Sequence, residues 1–112
     1  MSDAPPPNEA LAELASVLGD DNVRTLVRTF LRDFPGSLVE LSGTDRKNRH
    51  RVAHSLKSNS RLMGANSLSQ RLAALEARLE PAEGPDVTPE DIAAITAEFE
   101  QVAGPLRIFV GD

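Results

Sequence analysis

Ile92, Ile95, Phe99, Val102, Leu106 and Phe109 recur at alternating intervals of three and four residues. That spacing lines all six along one stripe of an α-helix and along neither face of a strand. A helix with such a seam must bury it against other helices. The chain supplies them. Val23, Leu26, Val27, Phe30, Phe34, Leu38 and Leu41 trace a second stripe, Val52, Leu56 and Met63 a third, and Leu68, Leu72, Leu75 and Leu79 a fourth. No period-two alternation or cluster of β-branched and aromatic residues competes with these patterns, and there is no internal repeat. The expectation is an all-α fold: an antiparallel four-helix bundle with a short additional N-terminal helix, monomeric. Leu56, Met63, Leu72, Leu75, Ile95, Phe99 and Val102 are expected to share its core.

Breakers and caps mark the joints. Residues 1–8, with Pro5, Pro6 and Pro7, read as a flexible lead-in, and residues 9–112 as the bundle domain. Leu11, Leu14 and Leu18 give a short first helix before Gly19. Asp20 or Asp21 is placed to cap the second helix, and Pro35–Gly36 predicts a kink or break in it. The third helix is expected from about Thr44 to Leu62 or Met63, ended by Gly64. Ser67 and Gln70 form a capping-box pattern for the fourth. PAEGPDVT (81–88) is the clearest loop, after which Thr88, Pro89 and Asp91 open the fifth helix, with a bend expected at Gly104–Pro105.

Composition narrows the function. With no cysteine among 112 residues, disulfides and zinc–thiolate sites are excluded. No apolar run approaches the roughly 18 residues of a membrane span, and MSDAPPPNEA lacks the basic start and apolar stretch of a signal peptide. A cytoplasmic protein without membrane contact is the expectation. Net charge is −5, yet Arg46, Lys47, Arg49, Arg51, Lys57 and Arg61 are half of the twelve basic residues. One basic segment in an acidic chain is either a solvated helix face or a surface for an anionic partner. Nucleic acid is a poor candidate, because no aromatic residue interleaves the cations for base stacking.

That segment holds both histidines, the second in AHSLKSNSRLMG (53–64). At 100° per residue, Lys47, His50, Ser58, Arg61 and Ala65 fall within about 40° of His54, and Lys57 about 60° away. Val52, Leu56 and Met63 lie on the opposite side, so His54 is expected to face solvent. His50 and His54 at i, i+4 can share a metal ion, but no H-E-x-x-H glutamate follows and the flanking cations repel a metal. A serine hydrolase needs a strained nucleophile turn, an oxyanion hole and an orienting acid, none of which surrounds Ser58 or Ser60. A neutral imidazole, available near pH 7 from its reference pKa of about 6.5, can attack phosphorus and carry the phosphoryl group covalently. A lysine three residues on balances the incoming charge, and small neighbours leave room for a bulky partner.

At these residues the chain resembles histidine phosphotransfer (HPt) domains of multistep phosphorelays, whose pattern is roughly A-H-x-L-K-[G/S]-x-[S/A], then G-A and a Leu-Glu pair. Here stand Ala53, His54, Leu56, Lys57, Ser58 and Ser60, then Gly64, Ala65, Leu68, Leu75 and Glu76. FLRDFPGSLVEL (30–41) is similar to the family's preceding helix, and the resemblance covers about residues 9 to 110. It implies that His54 is the phosphorylated residue, through Nε2, and that Lys57 stabilises the phosphoryl group. Ser58 would take the small position beside it, and Gly64 would shape the next turn. Arg61 departs from the family's common alanine and either clamps the phosphoryl group or fences off unsuitable partners; His50 is a supporting neighbour. Implied partners are response-regulator receiver domains or a hybrid histidine kinase. The chain would need no cofactor of its own, the receiver supplying magnesium, and it would be a phosphoryl carrier without an ATP-binding domain. The rival reading is a helical module that docks on a receiver or kinase without being phosphorylated.

Overall fold

The computed structural model describes residues 4–111; residues 1–3 of the expected lead-in and Asp112 lie outside them. Five helices follow one another among the described residues, with no strand: α1 (Glu9–Leu18), α2 (Asp20–Leu41), α3 (Arg46–Leu62), α4 (Asn66–Leu79) and α5 (Pro89–Val110). In the bundle α2 packs on α3, α3 on α4, α4 on α5 and α5 back on α2, while α1 lies against α2. The α3–α4 pairing is the most extensive. Within the bundle α4 and α5 run antiparallel, joined by Arg78–Asp91 near one end and Arg71–Glu98 farther along, and the rod measures 48 × 23 × 19 Å.

The four apolar stripes meet as expected, except that Ile92 and Val102 are only partly buried and Leu26 is exposed. Phe34 and Phe99 stack with centroids 4.2 Å apart, and Phe30 meets Phe34 edge-on at 5.4 Å, joining α2 to α5 at mid-bundle. The Arg24 guanidinium, buried over the Phe109 ring, donates to the Phe109 carbonyl at 3.1 Å. Arg28 donates to the Val110 carbonyl at 2.9 Å. These two arginines of α2 thus satisfy carbonyls that the end of α5 cannot pair within itself.

Helix boundaries bring several corrections. Gly19 (φ 88°), not an aspartate side chain, occupies the N-cap of α2; Asp20 and Asp21 stand in the first turn, where their charge suits the helix dipole. The chain stays helical through Pro35, because Phe34 and Leu38 anchor both sides of it in the core. Gly104–Pro105, where a bend is expected, likewise does not interrupt α5, which runs on to Val110. Asp45 starts α3 later than expected, accepting from the Lys47 N–H at 3.1 Å. The Ser67–Gln70 capping box does not form: the turn is so tight that α4 begins at Asn66, which places Ser67 inside the helix. The capping box at Thr88 and Asp91 does form.

The α3–α4 turn fixes how those two helices lie. Gly64 takes the left-handed conformation (φ 78°), the Ala65 N–H reaches back to the Ser60 carbonyl at 2.9 Å, and the Gly64 N–H reaches Arg61 at 3.0 Å. Together they form a Schellman motif. Asn8 locks it from outside, capping α1 through Oδ1 while its Nδ2 donates to the Met63 carbonyl at 2.9 Å. A Cβ on Gly64 would collide with that amide. Glycine is therefore required twice at this position, by φ and by space.

Candidate functional site

Small residues let α3 and α4 approach. Ala53 and Ser60 are fully buried on α3, and Ser69 of α4 donates its hydroxyl to the Lys57 carbonyl at 3.0 Å. About two helical turns past Ser69, Glu76 projects from α4 back across this seam. Its Oε2 lies 2.6 Å from His54 Nδ1, and its Oε1 accepts from Lys57 Nζ at 2.6 Å. His54 remains 57% exposed, Lys57 30% and Glu76 16%, so the carboxylate is the sheltered member and the imidazole the open one.

This geometry assigns the tautomer. The hydrogen bond from Lys57, and after it that from His54, hold the Glu76 carboxyl below its ordinary range against the opposing effect of burial. An ionised carboxylate can only accept, so the proton between the two side chains sits on Nδ1. In the neutral ring the lone pair is then on Nε2, the other nitrogen. The arrangement is an oriented imidazole, one ring nitrogen anchored and the other bearing a lone pair that can act as a nucleophile.

The remaining expected site residues are placed unequally. Ser58 is exposed on the face of His54 and makes no side-chain hydrogen bond among the described residues. Arg61 is exposed and likewise unpaired among them; with Ser58 and Leu62 it lines an open groove against Glu13, Leu14, Val17 and Leu18 of α1. Gly64 shapes the turn and stands apart from the histidine. His50 is half-buried one turn before His54 and has no polar partner among the described residues. Among those residues no group of three or more His, Asp or Glu is placed to hold a metal ion. Ala65, expected on the histidine face, is buried, because the chain leaves the helix at Met63 and the wheel no longer applies.

The basic segment also divides. Arg49 is buried and forks onto Asp86, at 3.0 and 2.7 Å, while also donating to the Gly43 carbonyl. Arg46 donates to the Pro81 and Arg78 carbonyls, both at 3.0 Å. Two of the six cations thus clasp the 81–88 loop instead of meeting a partner. Glu76 is the residue whose part the sequence left open: its place in a Leu-Glu pair was visible, but spacing within α4 says nothing of its contact across to α3.

The chain matches the family model for the Hpt domain over residues 8–104. It belongs to the Hpt domain family. No match was found among curated proteins or among solved structures. Hpt domains are phosphotransfer carriers of phosphorelays, not kinases, and interact there with receiver domains and kinases. In this Hpt domain no helix among the described residues is long and apolar enough to cross a membrane.

Proposed function

We propose that this Hpt domain relays a phosphoryl group between receiver-domain aspartates through a phosphohistidine at Nε2 of His54. The observation that carries the reading is the exposed ring whose Nδ1 is anchored on an ionised carboxylate. The Nε2 lone pair forms the N–P bond as the P–O bond of the donor's aspartyl phosphate breaks, and the electron pair leaves on the aspartate oxygen. The proton stays on Nδ1, and Glu76 offsets the positive charge that the ring acquires. Transfer onward is the reverse step with a second aspartate as acceptor. Holding the ring in this orientation before the partner arrives removes part of the orientational cost of an in-line displacement. The receiver supplies the magnesium ion, which would screen the charge on the transferring group.

The test is incubation with a phosphorylated receiver, followed by mapping of the acid-labile label. His54→Gln is expected to abolish labelling, and His50→Gln to leave it nearly intact, since His50 has neither an anchoring carboxylate nor a lysine three residues on. Failure of the wild type to take label from any phosphorylated receiver would leave the docking-module reading standing. Equal loss in both variants would return attention to a two-histidine metal site.

A further inference from the structure

Lys57 is the natural partner of an arriving phosphoryl group, yet its ammonium is already engaged, 2.6 Å from Glu76 Oε1. The other oxygen of the same carboxylate holds Nδ1. One carboxylate thus holds both the Lys57 ammonium and the ring nitrogen opposite the one that bears the lone pair. We propose that Glu76 is a positioning residue that competes with the phosphoryl group for Lys57, and so keeps the phosphohistidine labile enough to be passed on. This rests on the relay reading and adds a control of lifetime to it.

The competition follows from the donors. Both Glu76 partners are single-point contacts that can leave without disturbing a helix: an ammonium on a flexible stem and one ring N–H. When Nε2 becomes phosphorylated, two anions claim one ammonium, the Glu76 carboxylate and the phosphoryl oxygens. Any share of Lys57 that Glu76 retains is withdrawn from the phosphoryl group. Nδ1 has no such choice, since its proton keeps Glu76 as acceptor throughout. A glutamine at position 76 would still accept from Nδ1–H but would lose the charge that binds Lys57, separating orientation of the ring from retention of the lysine.

The experiment uses the full chain phosphorylated by a small phosphoramidate donor, with decay of phosphohistidine at His54 followed at neutral pH. Wild type, Glu76→Gln, Lys57→Met and the double variant form a cycle. Glu76→Gln should lengthen the lifetime roughly threefold to tenfold when Lys57 is present, and change it little in the Lys57→Met background. An equal change in both backgrounds would mean that Glu76 acts through the ring alone. No change in either would mean that the bridge merely ties α3 to α4; both results overturn the proposal. Should Glu76→Gln fold poorly, NMR of the wild type supplies the answer. Phosphorylation should shift the Lys57 ammonium and Glu76 carboxyl signals together while Nδ1–H persists, and an unmoved Lys57–Glu76 pair would overturn the proposal. Because the donor is chemical, failure of receivers to label His54 would sink the relay reading and leave these decay rates intact.

Discussion

Two acid–base clusters begin two residues apart on α4, and they are built for opposite purposes. Around Asp91, Arg78 makes a two-pronged fork at 3.0 and 2.7 Å, and Thr88 donates its backbone N–H at 2.9 Å. Every partner there is a fixed feature of a helix end or a planar guanidinium, and the cluster closes the end of the α4–α5 seam. Around Glu76 the partners are an ammonium on a flexible stem and an imidazole more than half exposed. The first carboxylate is held by groups that are themselves fixed, the Arg78 fork being tied also to the Asp86 carbonyl at 2.8 Å. The second is held by groups that, in the relay proposed above, have another use. A shared inventory of salt-bridging residues thus separates into structure and chemistry by how readily each partner can leave.

The largest effect is expected at Asp91. Arg78 chiefly, with Thr88 adding to it, lowers its carboxyl from 3.8 to about 2 against the opposing effect of burial. With the side chain 24% exposed, that shift corresponds to about 2 kcal/mol of stability at neutral pH. Because the folded value lies below the unfolded one, the contribution is present in full above about pH 4 and disappears as pH falls through about 2. Asp91→Ala should therefore lower unfolding stability by about 2 kcal/mol in denaturant titrations near pH 7. The difference from wild type should shrink across that acid window, while labelling of His54 in the folded variant stays unchanged. Loss of labelling in a folded Asp91→Ala protein would erase the distinction between the two clusters.

Lys57→Ala is the reciprocal case. A partly exposed pair contributes less than about 1 kcal/mol to stability, so thermal melts should scarcely move. Phosphotransfer should slow and the phosphohistidine should decay faster, since the ammonium is no longer there to be shared. A variant with a clearly lowered melting temperature and ordinary transfer would make Lys57 a structural residue like Arg78.

Why the sequence showed the one cluster more readily than the other is a matter of range. The Thr88–Asp91 box is local, three residues long, and it reads directly as a helix start. The exposure of His54 was also legible, because it follows from the phase of Val52, Leu56 and Met63 along a single helix. Glu76 touching His54 and Lys57 depends on how α3 and α4 lie against each other, which the left-handed Gly64 and the small residues Ala53, Ser60 and Ser69 decide. Arg46 and Arg49 were misread for a related reason: a wheel shows which way a side chain leaves the helix, not that the 81–88 loop folds back to receive it. Pro35 and Ser67 mark the limit in the other direction. Of the kink or break that local propensity predicted at Pro35, core anchors on both sides prevent the break, and at Ser67 a tight turn overrides the predicted cap.

The smallest expected effect is at Arg61, which belongs to neither cluster. It lies at i+7 from His54, about 10.5 Å along the axis, and it is exposed without a polar partner among the described residues. Long helical side chains lean toward the N-terminus, so the guanidinium can approach the phosphoryl position, but from farther than Lys57 and through more solvent. The groove it shares with Ser58 and α1 adds exposed apolar surface beside it, Val17 at 80% and Leu18 at 41%. A cation on the rim of such a surface acts mainly on encounter and partner choice. Arg61→Ala should therefore weaken receiver binding by no more than about fivefold, the scale of an exposed ion pair, with the deficit shrinking as salt screens the charge. The maximal transfer rate at saturating receiver should stay near wild type. The measurement is the rate of label transfer against receiver concentration, at low and at high salt. If Arg61→Ala abolished transfer while Lys57→Ala left it untouched, the roles given to these two cations would have to be exchanged.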